Sequence, residues 1–375
     1  MKKNQLLLAA AILTFIVSSC KKDVQPDVES PQIVTSFKDV PKVPNAVVNI
    51  KAGNINLQEV LKNNKQSILS FLRDSAWANG TGKTMIFSSD EQIAPENQLR
   101  LVYPGSVLQS SGIANLQYVP LAQLQGKVKP ITVSVSAPGK YITADIQKPS
   151  LSATRSFISN VFGSQVGNEL VGFQFDMSQF TYYEELKLAI GANVSIGSMF
   201  SVGASFGKEK VEKNTGLIAK FIQKNFTLDM DLPSEGKLFD STVTPAMLAP
   251  YSPVYVSSIT YGRMGIIKVE SNYSYDAVKV AFNLAFKVST VGGGVTVDAQ
   301  TKKIIDESSI MVRTIGGEGS EVTKTIVGYD EFRKYIESGG NYTAEAPGFP
   351  LYFTLSHVSD HSVFSTIFNV NIPNQ

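Results

Sequence analysis

The chain has 375 residues, a formal net charge of +2, two histidines and one cysteine. That balance removes the electrostatic case for a nucleic-acid partner, and a lone cysteine leaves no disulfide within the chain. With 43% hydrophobic residues, the length suffices for a sizeable core in two lobes.

The N-terminus specifies a compartment. Lys2 and Lys3 precede an apolar run over 6–17, the layout of a secretory signal peptide. The run ends Val17-Ser18-Ser19-Cys20, which resembles a bacterial lipobox. Residues 1–19 are therefore expected to be a lipoprotein signal, with Cys20 lipidated and anchored without a membrane span. Lys21-Lys22-Asp23 looks like the leader of exported surface lipoproteins of some Gram-negative bacteria. Residues 20–45 carry Pro26, Pro31, Pro41 and Pro44 without periodicity and read as a tether. Extended at ~3.3 Å per residue, it would reach about 80 Å. The folded core is then 46–375.

Apolar residues at mixed spacing predict a helix over 47–74, ending near Leu72. A strand is predicted over 131–135, bounded by Pro130 and Pro138-Gly139. Helical spacing follows over 150–162. Residues 217–232 alternate, with Leu217, Ala219, Phe221, Gln223 and Asn225 facing one way. Strands also fit 254–259, 266–270, 309–315 and 351–356, and a helix fits 330–338 with Gly339 at its end. Helices mixed with hairpin-connected strands give an α+β class with antiparallel sheet.

Two segments alternate differently. Over 186–206 the even positions are Leu186, Leu188, Ile190, Ala192, Val194, Ile196, Ser198, Phe200, Val202, Ala204 and Phe206, while the odd positions are mostly Gly, Ser and Asn. No charge occurs between Lys187 and Lys208. Soluble strands average about 5–6 residues; a membrane-spanning strand needs about 9–11, with lipid on one face and water on the other. The parity is unchanged across Gly197-Ser198-Met199, which a three-residue turn preserves. Folding there pairs Ile196 with Phe200 and Val194 with Val202. A transmembrane helix and an ordinary soluble hairpin compete with this membrane hairpin. Over 278–288, Val278, Val280, Phe282, Leu284, Phe286 and Val288 share a face. Beyond Gly292-Gly293-Gly294, Val295 and Val297 stand at odd positions, as does Val291, so an even-length turn would return them to the oily face. An amphipathic helix fits this segment too, and both forms can hold at different times. Backbone groups in lipid must all be paired, so hairpins with open edges require neighbouring chains. The membrane reading therefore implies an oligomeric barrel.

Enzymatic motifs fail on context. Gly203-Ala204-Ser205-Phe206-Gly207 fits a nucleophile elbow, but the serine lies within continuous alternation. Gly80-Thr81-Gly82-Lys83-Thr84 lacks the first glycine of a P-loop, with Trp77 in its place. His357-Val358-Ser359-Asp360-His361 has zincin spacing without the glutamate. No enzyme, cofactor or metal is expected.

From about 101 to 369 the chain resembles the thiol-activated, or cholesterol-dependent, cytolysins. The residues that carry this are Val254-Tyr255-Val256-Ser257-Ser258-Ile259-Thr260-Tyr261-Gly262-Arg263, similar to the family strand ending Tyr-Gly-Arg. Tyr103-Pro104-Gly105, 133–139, 276–282, Ile315-Gly316-Gly317, Asp330-Glu331-Phe332-Arg333-Lys334 and Ala346-Pro347-Gly348-Phe349-Pro350 resemble further family elements in order. The resemblance implies a MACPF/cytolysin-like bent, twisted antiparallel sheet flanked by two helical clusters that refold into β-hairpins. Those clusters fall at 186–214 and 276–303, on the two alternating segments. It also implies a hinge at Gly316 and Gly317, assembly as a homo-oligomer or with a related longer chain, and insertion into a lipid membrane. In an isolated monomer, 186–206 is expected as short helices against the sheet.

The chain departs from the family pattern at its end. The C-terminal β-sandwich is expected to be absent, and Trp77 is the single tryptophan, so cholesterol recognition does not carry over. The family's inter-subunit contacts find no match near Ile310 or Val327-Gly328. Membrane attachment would then come from lipid at Cys20, from a partner with a binding domain, or from activating proteolysis. The alternative is a surface-anchored lipoprotein using the fold as a non-inserting binding, adhesion or regulatory module.

Overall fold

The computed structural model describes residues 36–42, 47–53, 69–137, 141–163, 173–193, 209–291, 297–315, 322–337 and 348–374. Its N-terminal described strands are β1 (Val47–Lys51), β2 (Leu69–Ala76) and β3 (Gly82–Ser89). The helix expected over 47–74 is thus strand at 47–51 and 69–74, and 54–68 lies outside the described residues. β1 pairs in parallel with the last strand, β15 (Thr366–Pro373), and the order β1-β15-β3-β2 makes a four-stranded sheet. Its core is Val48, Ile50, Met85, Phe87, Phe368 and Val370.

The strands β4 (Glu91–Ile93), β5 (Val107–Gln109), β6 (Val119–Pro120), β7 (Ile131–Val135), β8 (Thr143–Ile146) and β9 (Phe173–Phe180) join a larger antiparallel sheet. Its spine is a pair of long strands, β10 (Thr215–Met230) and β11 (Pro253–Ser271). The strands expected over 254–259 and 266–270 are thus one. Leu217-Ile218-Ala219 and Ile266-Ile267 are apolar on both faces, as strands covered on both sides require. Beside one half of the spine lie β9, β12 (Ser309–Ile315) and β13 (Val322–Ile326). Beside the other half lie β7, β8, β14 (Phe349–His357) and β4. The expected strand at 131–135 is present, and the helix expected over 150–162 is α1 (Leu151–Gly163).

The two halves meet at a break in register. On β10 the ladder slips between Lys224 and Phe226, and β14 slips against β11 between Thr260 and Tyr261. Asn225 is therefore not in line with Leu217, Ala219 and Phe221, contrary to the simple alternation. Such a bulge bends a strand and increases its twist. Gly262 sits at this point. A Cβ there would lie 2.0 Å from the Gln223 carbonyl oxygen, and one on Gly348 would lie 2.9 Å from the Gly262 nitrogen. Only glycine allows backbones to cross this closely. Tyr261 stacks on Phe226 at 4.7 Å, and the Arg263 guanidinium lies 5.3 Å from the Phe221 ring centre. The Tyr-Gly-Arg run is thus the seam between the halves.

Two candidate membrane-refolding segments

The two alternating segments are the connections β9 to β10 and β11 to β12. The first begins with a short helix, α2 (Leu186–Ile190), ended by Gly191 at φ 75. Leu186, Ile190 and Ala192 are buried with Ile218, Ile222, Met264 and Ile266, and Leu188 packs on the four-stranded sheet. The short helix expected for a soluble monomer is present here. Val194, Ile196, Phe200, Val202, Ala204 and Phe206 lie outside the described residues, as do Ser205 of the elbow motif, Gly316, Gly317 and Cys20.

Polar ties secure the base of this segment. The buried Glu185 carboxylate accepts backbone N–H groups from Gly53 at 2.9 Å, Tyr182 at 2.9 Å and Thr181 at 3.2 Å. Burial raises its pKa against the lowering effect of those three donors. The Lys51 backbone N–H donates to Glu184 at 3.2 Å, and the Lys51 ammonium lies 3.6 Å from Glu209. A bridge between Tyr182 and Lys210 closes the loop. Asn193 ties its far side to Ala114 and Asn115. Beneath it, Lys268 pairs with Glu270 at 2.7 Å, and Tyr183 donates to the same carboxylate at 2.8 Å. Burial works to raise the Glu270 pKa, but Lys268, Tyr183 and Lys213 outweigh it and hold it low.

The second segment opens with α3 (Tyr275–Val291), followed by α4 (Ala299–Asp306); α5 (Gly328–Glu337) packs beside them. Here the helical form of 278–288 is the one present. Val278, Ala281, Phe282, Ala285 and Phe286 are buried on Leu217, Ala219, Phe221, Ile267, Val269 and Val312. Phe282 and Phe286 each meet Phe332 edge-on at 5.2 Å. Val280 and Leu284 are 57% and 39% exposed, so the helix covers these two apolar side chains only in part. For Val288 the backbone alone is described. No described helix is long and apolar enough to cross a membrane, which leaves strand crossings untouched.

The remaining motifs resolve into structure. Gly80 and Thr81 form the turn before β3, where the Trp77 indole donates to Thr84 at 2.8 Å. His357 ends β14, and His361 lies in the turn beyond it, 3.0 Å from the Tyr255 hydroxyl and 3.1 Å from the Gly236 carbonyl. Among the described residues no three acidic, His or Cys side chains could hold a metal. Sequence reasoning missed Glu185, Lys220, Lys268 and Glu270. One signal was available: Lys220 interrupts a run apolar on both faces, Leu217-Ile218-Ala219-Lys220-Phe221-Ile222, so its side chain had to be buried.

A bent antiparallel sheet with a helical cluster on each face is the architecture shared with solved cytolysins. Pneumolysin superposes with a TM-score of 0.64 at 20% identity, covering 89% of this chain and 72% of the other. Suilysin from Streptococcus suis superposes at 0.62 and 18% identity, covering 89% and 73%. The fold is therefore the MACPF/cytolysin-like fold. In sequence, the thiol-activated cytolysin family matches residues 86–371, and the chain belongs to that family. Pneumolysin of Streptococcus pneumoniae is 27% identical over 299 residues, 74% of this chain and 60% of that protein. Perfringolysin O of Clostridium perfringens is 24% identical over 361 residues, 89% of this chain and 70% of that one. The chain thus spans about 60% of the length of pneumolysin.

Proposed function

We propose that this chain is a non-enzymatic pore-forming subunit. Copies assemble on a membrane, and the segments 186–214 and 276–303 refold into two β-hairpins per chain that join a barrel. The observation that carries this is a coincidence of registers. In the β9–β10 ladder Ser178 faces Ile218 and Phe180 faces Gly216. Continued inward without slip, that ladder sets Val194 against Val202 and Ile196 against Phe200, and closes at Ser198. This is the turn that apolar parity selects on its own. In the β11–β12 ladder Met264 faces Ile315 and Glu270 faces Ser309. Continued likewise, it sets Phe282 against Val297, Leu284 against Val295 and Val288 against Val291, with a two-residue turn at Ser289-Thr290. That even-length turn brings the odd-numbered valines onto the oily face. The existing bridge of Tyr182 to Lys210 departs from the first ladder, which would set Tyr182 against Asn214. All three residues are even-numbered, so straightening this base leaves the faces unchanged.

Val280 and Leu284 support the same reading, because they are exposed on α3 yet face lipid in the hairpin. Their joint replacement, Val280→Asn with Leu284→Asn, tests it. Exposed positions shift stability by only about 0.5 kcal/mol, so soluble folding is expected to persist while dye release from phosphatidylcholine vesicles, with or without cholesterol, is lost. Release equal to that of the parent protein would sink the hairpin reading, and so would a parent protein that never releases dye, alone or mixed with a longer related cytolysin chain. The proposal extends to a lipid anchor at Cys20 with export to the surface of a Gram-negative cell. It also extends to a mixed ring in which a longer related chain supplies membrane recognition. Mass spectrometry of the exported protein, and of cross-linked rings, checks these two points.

A further inference from the structure

Lys220 is the least expected side chain beneath the first segment. It lies mid-strand on β10, 6% exposed, on the face roofed by α2. Its neighbours there are Ile218, Ile222, Met264 and Ile266. An ammonium carries three N–H donors. Among the described residues Lys220 has one acceptor, the Ala189 carbonyl in the last turn of α2, at 3.2 Å. Asp176 faces it across the β9–β10 ladder. The charges that act on it are Asp176 and Glu91, which favour the cation, and Lys224, which opposes it; burial outweighs the carboxylates and lowers its pKa. A dry, under-bonded cation opposes the arrangement that buries it, because desolvation exceeds what one hydrogen bond returns.

We propose that Lys220 is a built-in destabiliser of the stowed first segment. With α2 in place the ammonium is held away from water. When the segment leaves, the same ammonium is hydrated, so its charge favours departure. The carbonyl of Ala189 is thus a partial compensation, and not a lock. This inference rests on the two-hairpin reading, because it assigns a direction to the motion that reading requires.

The test uses the full chain and the variant Lys220→Met, which keeps the length of the stem and removes the charge. Replacing a buried ion by an apolar side chain of similar volume is often stabilising. In solution, without membranes, hydrogen exchange of amides 186–193 is expected to slow by about tenfold, and dye release from vesicles to slow with it. Asp176→Asn removes a compensating carboxylate, and exchange over 186–193 should quicken. It provides a second reading should the methionine variant fold poorly. Exchange that is unchanged or faster in Lys220→Met would overturn the proposal, making the lysine inert or a net tie. If no version of the protein releases dye, alone or mixed with a longer related chain, the hairpin reading fails, while the exchange rates still decide the role of Lys220.

Discussion

The described parts of the two candidate segments rest on opposite faces of the same strands, and those faces are built differently. Under α2 the even-numbered residues of β10 and β11 include Lys220, Lys268 and Glu270 beside Ile218 and Ile266. Under α3 the odd-numbered residues are Leu217, Ala219, Phe221, Ile267 and Val269, with Phe282, Phe286 and Phe332 packed above them. Where it is described, the first segment is held by a small aliphatic contact of Leu186, Ile190 and Ala192 together with hydrogen bonds and ion pairs at its base, which water can replace at small net cost. The second is stowed by aromatic burial, which water cannot replace. The described parts of the two segments are therefore held unequally, and on the two-hairpin reading the first is expected to open before the second.

The largest effect should come from the apolar face. Phe282→Ala empties a fully buried site beside Phe332 and is expected to cost about 3–5 kcal/mol, read as a lower urea midpoint for the whole protein. If that midpoint stays put, the aromatic face is not what holds the second segment. A smaller effect is expected from Glu185→Ala, which removes the shared acceptor of Gly53, Thr181 and Tyr182 at roughly 1–3 kcal/mol. Exchange should accelerate over 181–190 and remain as it was over 278–286; equal acceleration in both places would erase the distinction between the faces. The smallest effect belongs to a site remote from either segment. Lys42 pairs with Asp360 and docks residues 36–42. Burial of Asp360 is outweighed by Lys42 and Ser362, which hold its pKa at about 2. A depressed carboxylate stabilises above its ordinary pKa, about 3.9, and that contribution is lost as pH falls through about 2. At neutral pH, Asp360→Asn should loosen 36–42 slightly, since the pair is exposed, and leave both segments unchanged. Limited proteolysis mapped by mass spectrometry reads this directly.

The features legible from sequence were those set by local periodicity. The alternation over 217–223, the helix α1 and the helical spacing over 278–288 need only neighbours in the chain. β1 was misread because its partner, β15, stands at the opposite end of the sequence and its five residues carry no turn signal of their own. Gly262 stands out in sequence only as part of a motif, and its necessity comes from the Gln223 carbonyl on another strand. Glu185 was equally hidden, because two of its three donors belong to its own turn and the third, Gly53, belongs to β1's end. Lys220 was legible in principle, since an amphipathic strand has no reason to place apolar residues on both sides of a lysine.

The unbroken ladder from Phe173–Gln223 to Phe180–Gly216 has a consequence for how such a chain can vary. On the two-hairpin reading it acts like a reading frame. A single residue gained or lost within an arm between Phe180 and Gly216 would exchange the oily and polar faces from that point to the tip. The same change at Gly197-Ser198-Met199 would alter only the turn. Length variation among functional relatives of this chain should therefore collect at the tips or come in pairs, much as tolerated insertions in a coding sequence come in threes.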